Sequence, residues 1–246
     1  MPDGTVAIIV AAGRGARFGG SVPKPLALCA GEPLVAHALK TFASSAKISS
    51  IVLVAAPDQR AAMRRLTDRL ALRKVRAIVS GGATRAHSVL AGLKAAPASA
   101  RLVAIHDGAR PCVSREVIER TIAAARKSGA AICAVPATAT VKSAKADGWI
   151  RMTLDRESLW LAQTPQVFRR DWIVDAYTRA AEANQLADMP DDAAVAESAG
   201  YAVRIVPGDA SNLKVTTPHD LRIAQALLRP NPAAKQRRGT RSVTMI

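Results

Sequence analysis

Residues 6–26 read VAIIVAAGRGARFGGSVPKPL, and this stretch predicts how the rest of the chain folds. Val6 to Val10 form a short, unbroken apolar run rich in β-branched residues, which is the pattern of a strand buried on both faces of a parallel sheet. Glycines and alanines follow, so that backbone N–H groups can come close to an anion. Arg14, Arg17 and Lys24 add positive charge around the same bend. The segment therefore predicts a phosphate-binding loop at the end of a buried strand.

Two common phosphate-binding motifs do not fit the spacing of these glycines. A Walker loop requires G-x-x-x-x-G-K-[ST], and no lysine followed by serine or threonine comes after the glycines. The dinucleotide fingerprint G-x-G-x-x-G is matched at Gly13 and Gly15 only if its last glycine is displaced to Gly19. A glycine-rich turn with solvated arginines is the structural alternative to a phosphate loop.

Length and composition favour a single α/β domain. A chain of 246 residues can bury a full core, and 49% apolar residues with only 3% aromatics suit a Val- and Ile-rich sheet covered by Ala-rich helices. No apolar run reaches about 18 residues, and Met1-Pro2-Asp3 lacks the basic start of a secretion signal. We therefore expect a cytoplasmic protein that does not bind a membrane. The three cysteines, Cys29, Cys112 and Cys133, are far apart, so neither a disulfide framework nor a zinc site is predicted.

The net charge of +16 raises the question of nucleic-acid binding. Five of the cationic residues lie in a C-terminal tail without acidic residues, namely Arg229, Lys235, Arg237, Arg238 and Arg241. A basic field also attracts anionic nucleotides and phosphorylated metabolites. Because aromatic residues are few and scattered, the stacking surface of a single-strand binder is missing. We expect no specific nucleic-acid partner.

Strand-length apolar runs alternate with segments of helical spacing along the chain. Strands are predicted at 6–10, 51–55, 75–79, 102–105, 131–135 and 201–206, and helices at 33–45, 57–73, 114–128, 171–182, 191–199 and 217–228. This alternation implies right-handed crossovers and a doubly wound, mostly parallel, Rossmann-like α/β sheet. Ligands of such sheets bind beyond the carboxyl ends of the strands. The glycine loops after Val10 and Val79 both lie at that edge.

Residues 137–160 interrupt the alternation. Two short strands, at 140–142 and 149–152, flank Asp147-Gly148, which is a strong hairpin turn. A hairpin that cannot bury its own faces needs another surface to pack against. We therefore expect the chain to form a homodimer through this protruding β-arm. The predicted organisation is one domain at 1–228, which includes the arm, followed by a basic tail or linker at 229–246.

The glycine loop resembles the signature of nucleotidyltransferases that activate sugar or polyol phosphates, A-A-G-x-G-x-R followed by P-K. Ala11-Ala12-Gly13-Arg14-Gly15-Ala16-Arg17 and Pro23-Lys24 reproduce it. Further motifs follow in the order of one family: Gly81-Gly82-x-x-Arg85-x-x-Ser88-Val89-x-x-Gly92-Leu93, His106-Asp107-x-Ala109-Arg110-Pro111, Asp155-Arg156, Thr164-Pro165-Gln166 and Asn212-Leu213-Lys214-Val215-Thr216. Together they resemble the 2-C-methyl-D-erythritol 4-phosphate cytidylyltransferase family over residues 5 to 228 or so. The resemblance implies a nucleotidyltransferase-type fold and transfer of CMP from CTP to methylerythritol phosphate, a step of non-mevalonate isoprenoid biosynthesis.

The resemblance also implies roles for individual residues. Arg17 and Lys24 would be catalytic, because they would hold the triphosphate and stabilise the charge that develops at its α-phosphorus. Nucleotide binding would involve Ala11, Ala12, Gly13, Gly15, Gly82, Ser88, Asp107 and Gly108. Acceptor binding would involve Arg110, Thr140, Arg156, Thr164 and Lys214. Thr140 and Arg156, on the arm, would serve the neighbouring subunit's site.

The same resemblance supplies a cofactor and a further partner. Asp107 would organise Mg²⁺ or another divalent cation together with CTP, and a capping aspartate at a strand end is the structural alternative. In some bacteria this transferase is fused to the cyclodiphosphate synthase that acts two steps later. The basic tail is therefore either a simple extension or the start of a linker in a longer bifunctional chain.

Three positions depart from the family pattern, and two other functions stay open. Gly108 replaces a common alanine, Ala83 replaces an acidic residue, and Pro190 replaces a threonine. One alternative is a cytidylyltransferase for another polyol phosphate, such as ribitol phosphate. The other is a nucleotide-binding module without turnover, although the joint presence of Lys24 and Asp107 with the loop cations argues against it. From the residues alone, His106 is expected to pack at a strand end, and Arg110 either faces a phosphate or holds backbone carbonyls.

Overall fold

The computed structural model describes residues 4–13, 15, 18 and 22–229. The strands within them are β1 (Thr5–Ala11), β2 (Leu28–Cys29), β3 (Glu32–Pro33), β4 (Ile48–Ala55), β5 (Val75–Ser80), β6 (Leu102–Asp107), β7 (Ala130–Pro136), β8 (Lys142–Ala144), β9 (Ile150–Thr153), β10 (Trp160–Arg169) and β11 (Arg204–Pro207). The α-helices are α1 (Leu34–Ser44), α2 (Arg60–Arg69), α3 (Arg85–Ala95), α4 (Arg115–Ser128), α5 (Arg170–Glu182), α6 (Asp192–Ser198) and α7 (Pro218–Leu228). Short 3-10 helices lie at Lys24–Leu26, Pro57–Gln59, Arg156–Ser158 and Leu186–Asp188.

In the described part of the chain, seven strands form the main sheet in the order β11-β7-β10-β6-β1-β4-β5. Neighbouring strands are parallel except that β10 runs antiparallel to both β6 and β7. The predicted doubly wound, mostly parallel sheet is therefore confirmed. Because β10 is reversed, its N-terminal half lies at the same edge as the carboxyl ends of its parallel neighbours.

Strand β1 shows how the sheet separates two helical layers. Ala7 and Ile9 pack with Val35, Leu39 and Phe42 of α1 and with apolar side chains of α2 and α4. The alternate residues of β1, Val6 and Ile8, pack on the opposite face with α3, α5 and α6. Successive side chains of a strand point to opposite faces, so an unbroken apolar run is what a doubly covered strand requires.

Helix ends follow the predicted capping signals. The Ser114 side chain accepts from the backbone N–H of Val117 and starts α4, which Gly129 ends at φ +87°. The Thr217 side chain accepts from the N–H of Asp220, and the Asp220 side chain completes a capping box at the start of α7. Both predicted caps are confirmed.

Several predicted boundaries differ from the structure. Pro33 has an extended conformation and precedes α1, which begins at Leu34. The predicted helix 57–73 is a 3-10 turn followed by α2, which ends before Ala71 at φ +49°. Strand β6 extends two residues further than predicted, through Asp107.

The largest difference is β10, for which the sequence predicts only that residues 164–168 return to the core. It is a ten-residue strand between β6 and β7. Its buried inner positions include Gln163, Thr164 and Gln166, and polar residues at buried positions hide the apolar pattern of a central strand.

The arm, residues 137–160, contains the hairpin β8–β9, with pairing from Lys142 opposite Thr153 to Ala144 opposite Ile150. Its strands lie about two and one residues later than predicted. Gly148 has φ +89°, as the predicted turn requires. None of the helices in the described residues has the length and apolar character needed to cross a bilayer. The predicted tail beyond residue 229 lies outside the described residues.

Candidate active site

The predicted site residues meet at the carboxyl edge of the main sheet. This edge carries the loops that follow β1, β5 and β6, and the N-terminal half of β10 faces them. Asp107, the last residue of β6, pairs with Val10 of β1 and lies beside Thr164 of β10. Concave edges of this kind are where open α/β sheets bind ligands.

The described part of the glycine loop folds against Lys24. Gly15 has φ +65°, which favours glycine. A Cβ on Gly15 would lie 2.9 Å from the Cβ of Lys24, so this glycine lets the loop backbone approach the lysine. The ammonium of Lys24 donates to the carbonyl of Val215 at 3.2 Å, close in sequence to Lys214. Arg14 and Arg17 lie outside the described residues. Arg17 is one of the two residues predicted to be catalytic.

The loop after β5 packs against the loop after β1. A Cβ on Gly81 would lie 2.3 Å from the Cβ of Ala12 and 2.7 Å from Oγ of Ser88. The Ser88 hydroxyl accepts from the backbone N–H of Gly82 at 3.1 Å and donates to the carbonyl of Thr84 at 3.0 Å. Ser88 therefore shapes the Gly81-Gly82 turn from inside, with 3% of its surface exposed.

Other positions that were predicted to bind the nucleotide lie in or beside β1. Gly108 donates its backbone N–H to the carbonyl of Val10 at 2.8 Å, and a Cβ on Gly108 would lie 3.2 Å from the Cβ of Ala11. A Cβ on Gly13 would meet no atom within 4 Å. The structure thus brings Ala11, Gly82, Ser88 and Gly108 to the same edge as Lys24.

Asp107 forms ion pairs with two basic side chains at the centre of this edge. Its Oδ1 accepts from Nε of Arg85 at 2.9 Å, and its Oδ2 lies 2.8 Å from Nζ of Lys214. Burial would raise the pKa of Asp107, but the positive charges of Arg85 and Lys214 outweigh burial and hold the pKa well below its ordinary value. Asp107 is therefore an anion that orients both cations.

Arg85 connects Asp107 to a second, deeper carboxylate. Its NH1 and NH2 groups donate to the two oxygens of Asp192 at 3.0 Å and 2.8 Å. Asp192 is fully buried and also accepts from the hydroxyl of Tyr177 at 2.6 Å. Burial and the charge of Asp192 raise the pKa of Tyr177, so the hydroxyl stays protonated and donates.

Thr164 and His106 form a buried, hydrogen-bonded pair next to Asp107. The backbone N–H of Asp107 donates to Oγ1 of Thr164 at 3.1 Å, and that hydroxyl lies 3.0 Å from Nδ1 of His106. Nε2 of His106 lies 3.2 Å from the carbonyl of Arg110 and donates to it, so Nδ1 accepts from Thr164. Burial lowers the pKa of His106 to about 4, which keeps the ring neutral. His106 is packed at the strand end, as expected.

Asn212 anchors the loop that carries Lys214. Asn212 is fully buried, and its side-chain amide donates to the carbonyl of Thr164 at 2.8 Å. Arg110 donates through NH1 to the carbonyl of Asn212 at 2.7 Å, which is the carbonyl-holding role considered for this arginine. The backbone N–H of Val215 donates to the carbonyl of Ala109 at 2.8 Å. These contacts fix the backbone on both sides of Lys214.

A cavity of about 390 Å³ opens beside this network. Its walls include Asp107, Arg110, Thr164, Lys214 and Pro190. The side chain of Lys214 is 43% exposed, whereas that of Asp107 is 9% exposed. A phosphorylated molecule in this cavity would meet an accessible ammonium held in place by a buried carboxylate, which is suited to anion binding.

Two predicted acceptor-binding residues do not join this cavity within one chain. Thr140 and Arg156 are exposed on the arm, and Arg156 donates through NH1 to the carbonyl of Thr138 at 3.0 Å. Neither residue lines the cavity. Both residues lie on the exposed arm, apart from the cavity of their own chain.

Asp107 is the carboxylate of this edge that was predicted to bind Mg²⁺. In the described ranges, no three His, Cys, Asp or Glu side chains cluster to bind a metal ion together. Each oxygen of Asp107 already accepts from one cation and keeps one lone pair. The residues fit an ion held mainly by the phosphates of a bound nucleotide with Asp107 as its protein partner, and they do not fit an ion held by protein alone.

Several residues that build the site have no role predicted from the sequence. Arg85 and Asn212 stood within the quoted motifs, and Asp192 and Tyr177 were read only as helix residues. Arg85 and Asp192 are more than 100 positions apart in the sequence, and no local pattern predicts that such residues pair. The signal that could have indicated Arg85 and Asn212 is that both are polar residues inside a motif of the family.

Comparison with known proteins identifies the family. The family model described as 2-C-methyl-D-erythritol 4-phosphate cytidylyltransferase matches residues 5–230. A protein of that name from Pelotomaculum thermopropionicum is 43% identical over 228 residues, which cover 92% of this chain and 95% of the relative. A bifunctional IspD/IspF enzyme from Desulforudis audaxviator is 45% identical over 93% of this chain, and the match covers 57% of that longer protein.

Solved structures agree with this result. The structure of 4-diphosphocytidyl-2C-methyl-D-erythritol synthase from Anaerococcus prevotii has a TM-score of 0.81 to this chain and 31% sequence identity, and the match covers 93% of this chain and 97% of that protein. The resemblance found in the motifs is therefore confirmed over nearly the whole described chain. The chain belongs to the 2-C-methyl-D-erythritol 4-phosphate cytidylyltransferase family.

Proposed function

We propose that this chain transfers CMP from CTP to 2-C-methyl-D-erythritol 4-phosphate and releases pyrophosphate, in isoprenoid biosynthesis. The observation that carries the proposal is the family match across residues 5–230. The joint position of Lys24, Asp107 and Lys214 at one sheet edge supports it, because this edge offers both a nucleotide loop and an anion-binding cavity. The product is 4-diphosphocytidyl-2-C-methyl-D-erythritol.

The reaction forms one phosphorus–oxygen bond and breaks another. A phosphate oxygen of the acceptor attacks the α-phosphorus of CTP in line, while pyrophosphate leaves with the bonding electron pair. Negative charge shifts toward the leaving group, so cations fixed before the reaction lower the barrier without rearranging. Lys24 and Arg17 are the residues proposed for this role.

The two substrates would occupy different parts of the edge. The Gly81-Gly82 turn, held by Ser88, would present backbone groups to a pyrimidine, and Gly81 lets this turn pack against Ala12 of the loop after β1. The acceptor phosphate would bind Lys214, whose ammonium is accessible and oriented by Asp107. Arg110 and Thr164 contribute mainly through the loop and strand that they hold.

A divalent cation completes the proposal. Asp107 would bind Mg²⁺ together with the CTP phosphates, and the bound ion would neutralise charge on the triphosphate. Asp107 also keeps Arg85 and Lys214 in place through its own oxygens.

We also propose a homodimer assembled through the arm. Trp149, Ile150 and Met152 are 73%, 62% and 51% exposed on a hairpin that covers no core of its own chain. Large exposed apolar side chains on one small element mark an interaction surface. Thr140 and Arg156 on the same arm would then reach the acceptor site of the other subunit.

The acceptor can be tested by direct competition. Purified protein with Mg²⁺ and CTP should release pyrophosphate with methylerythritol phosphate, and ribitol phosphate should give at least about 100-fold lower kcat/KM. Equal turnover of both acceptors would reassign the substrate. Binding of CTP without any pyrophosphate release would indicate a nucleotide-binding module instead.

A further inference from the structure

Arg85 is the first residue of α3 and directly follows the Gly81–Thr84 turn. Its Nε, NH1 and NH2 atoms each donate to a carboxylate oxygen, one on Asp107 and two on Asp192. One guanidinium thus joins the strand end of β6 to the start of α6. An ammonium could not make this bridge, because it lacks the planar fork that binds one carboxylate with two parallel hydrogen bonds.

The two carboxylates have very different access to the cavity. Asp192 is fully buried and holds Arg85 through both oxygens. Tyr177, also fully buried, donates to Asp192 and fixes it from behind. Asp107 lies in the cavity wall and uses Oδ1 for Arg85, which turns Oδ2 toward Lys214.

Lys214 depends on this orientation. Its side chain is long and 43% exposed, so its ammonium would sample many positions without a fixed partner. The contact with Asp107 at 2.8 Å holds the ammonium at the cavity. The position of Lys214 is therefore set by Asp107, and that of Asp107 is set in part by Arg85.

We infer that Arg85 is a positioning residue for the acceptor half of the reaction, which transmits the fixed position of buried Asp192 to Asp107 and so to the Lys214 ammonium. This inference rests on the proposed function. It assigns Arg85, Asp192 and Tyr177 to one chain of contacts that begins in the core and ends at the acceptor phosphate.

Arg85→Lys and Asp192→Asn test this series of contacts at its middle and at its buried end. Arg85→Lys keeps the charge but loses the fork, and Asp192→Asn keeps the shape but loses the buried charge. We expect each variant to raise KM for the acceptor by about tenfold or more and KM for CTP by a clearly smaller factor, because Asp107 would also bind the CTP-bound Mg²⁺. Asp192 cannot touch the acceptor because it is fully buried, so an acceptor-specific effect there is transmitted by Arg85 or by α6, whose Ala194 lines the cavity. An effect shared by Arg85→Lys and Asp192→Asn indicates the route through Arg85.

A matched control and a double variant complete the design. Arg179→Lys changes an exposed arginine that pairs with Asp175 on the outer face of α5 and should leave both KM values unchanged. Asp192→Asn combined with Lys214→Met should raise KM for the acceptor no further than Lys214→Met alone, because both act on the same ammonium. Thermal melting of each variant identifies those that fold, and Tyr177→Phe, which removes a single hydroxyl, replaces a variant that does not.

The outcomes separate this inference from the proposed function. Wild-type protein without turnover of methylerythritol phosphate would overturn both. Wild-type turnover together with unchanged acceptor KM in folded Arg85→Lys and Asp192→Asn would overturn only the positioning role. Equal changes in the KM values for CTP and acceptor would also overturn it, since they indicate general loss of structure. Additive effects in the double variant would overturn it too, since they indicate that Asp192 and Lys214 act independently.

Discussion

The ammonium of Lys214 lies 2.8 Å from the carboxylate of Asp107, although 107 positions of sequence separate the two residues. Asn212 holds the loop that carries Lys214 against strand β10, because its side-chain amide donates to the carbonyl of Thr164. The pair shows how a buried anion can present an accessible cation. Asp107 is 9% exposed and Lys214 is 43% exposed in their side chains.

Lys214→Met should weaken the acceptor step. The substitution keeps a long side chain and removes the charge that the acceptor phosphate would meet, so kcat/KM for the acceptor should fall on the order of 100-fold. Steady-state kinetics with each substrate varied in turn provide the measurement. Lys94→Met, on the exposed side of α3, is the control. An equal loss in both variants would mean that total charge, and not this lysine, matters.

Gly81→Ala should destabilise the junction between the loops that follow β1 and β5. Its Cβ would lie 2.3 Å from the Cβ of Ala12, and such overpacking costs about 1–3 kcal/mol. Gly13→Ala is the matched comparison, because a Cβ there meets no atom within 4 Å. Urea denaturation of both variants should show a lower midpoint for Gly81→Ala only. Similar midpoints would show that the Gly81 turn can relax.

Stability should fall as the pH drops below the ordinary pKa of histidine. Burial lowers the pKa of His106 to about 4 in the folded protein, whereas the unfolded chain has a value of about 6.5. Between these values the unfolded state binds the extra proton, so acid favours unfolding by as much as about 3 kcal/mol once the pH reaches about 4. Urea midpoints at pH 7.5 and 5.0, with EDTA present, measure this effect. His106→Gln should be less stable at pH 7.5 and should lose less stability on acidification, and an identical pH dependence in both proteins would be incompatible with this account.

Ile150→Asp should disrupt the proposed dimer. Ile150 is 62% exposed on the arm, and a charge at the centre of an apolar contact is costly to bury. Analytical ultracentrifugation should show a shift from dimer to monomer, and activity should fall with it because Thr140 and Arg156 would no longer reach a second site. Lys145→Gln, at the hairpin turn, is the control. A wild-type protein that sediments as a monomer with full activity would refute the proposal.

The fold was predictable where local patterns carry it. The apolar run 6–10 identified β1, and Ser114, Gly129 and Thr217 correctly predicted helix ends, because capping depends on residues within one turn. Strand β10 was largely missed, since Gln163 and Gln166 are polar side chains buried in the sheet. Their burial is satisfied by distant partners such as Asp191 and the backbone at Asp209, which a local pattern cannot reveal.

The site was predictable only in part for the same reason. Motifs named Lys24, Asp107, Thr164 and Lys214, and the structure brings these four to one edge of the sheet. The link from Arg85 to Asp192 requires α3 and α6 to meet, and that meeting depends on the whole fold. The roles of the individual residues remain predictions for the kinetic experiments.

Formation of the cytidylylated product tests the central claim most directly. The purified protein, Mg²⁺, CTP and methylerythritol phosphate should yield pyrophosphate and 4-diphosphocytidyl-2-C-methyl-D-erythritol in equal amounts, detected by mass spectrometry. Lys24→Met, if its melting temperature is close to that of the wild type, should lower kcat by about 100-fold or more. No product from the wild-type protein, or undiminished kcat in folded Lys24→Met, would contradict the account.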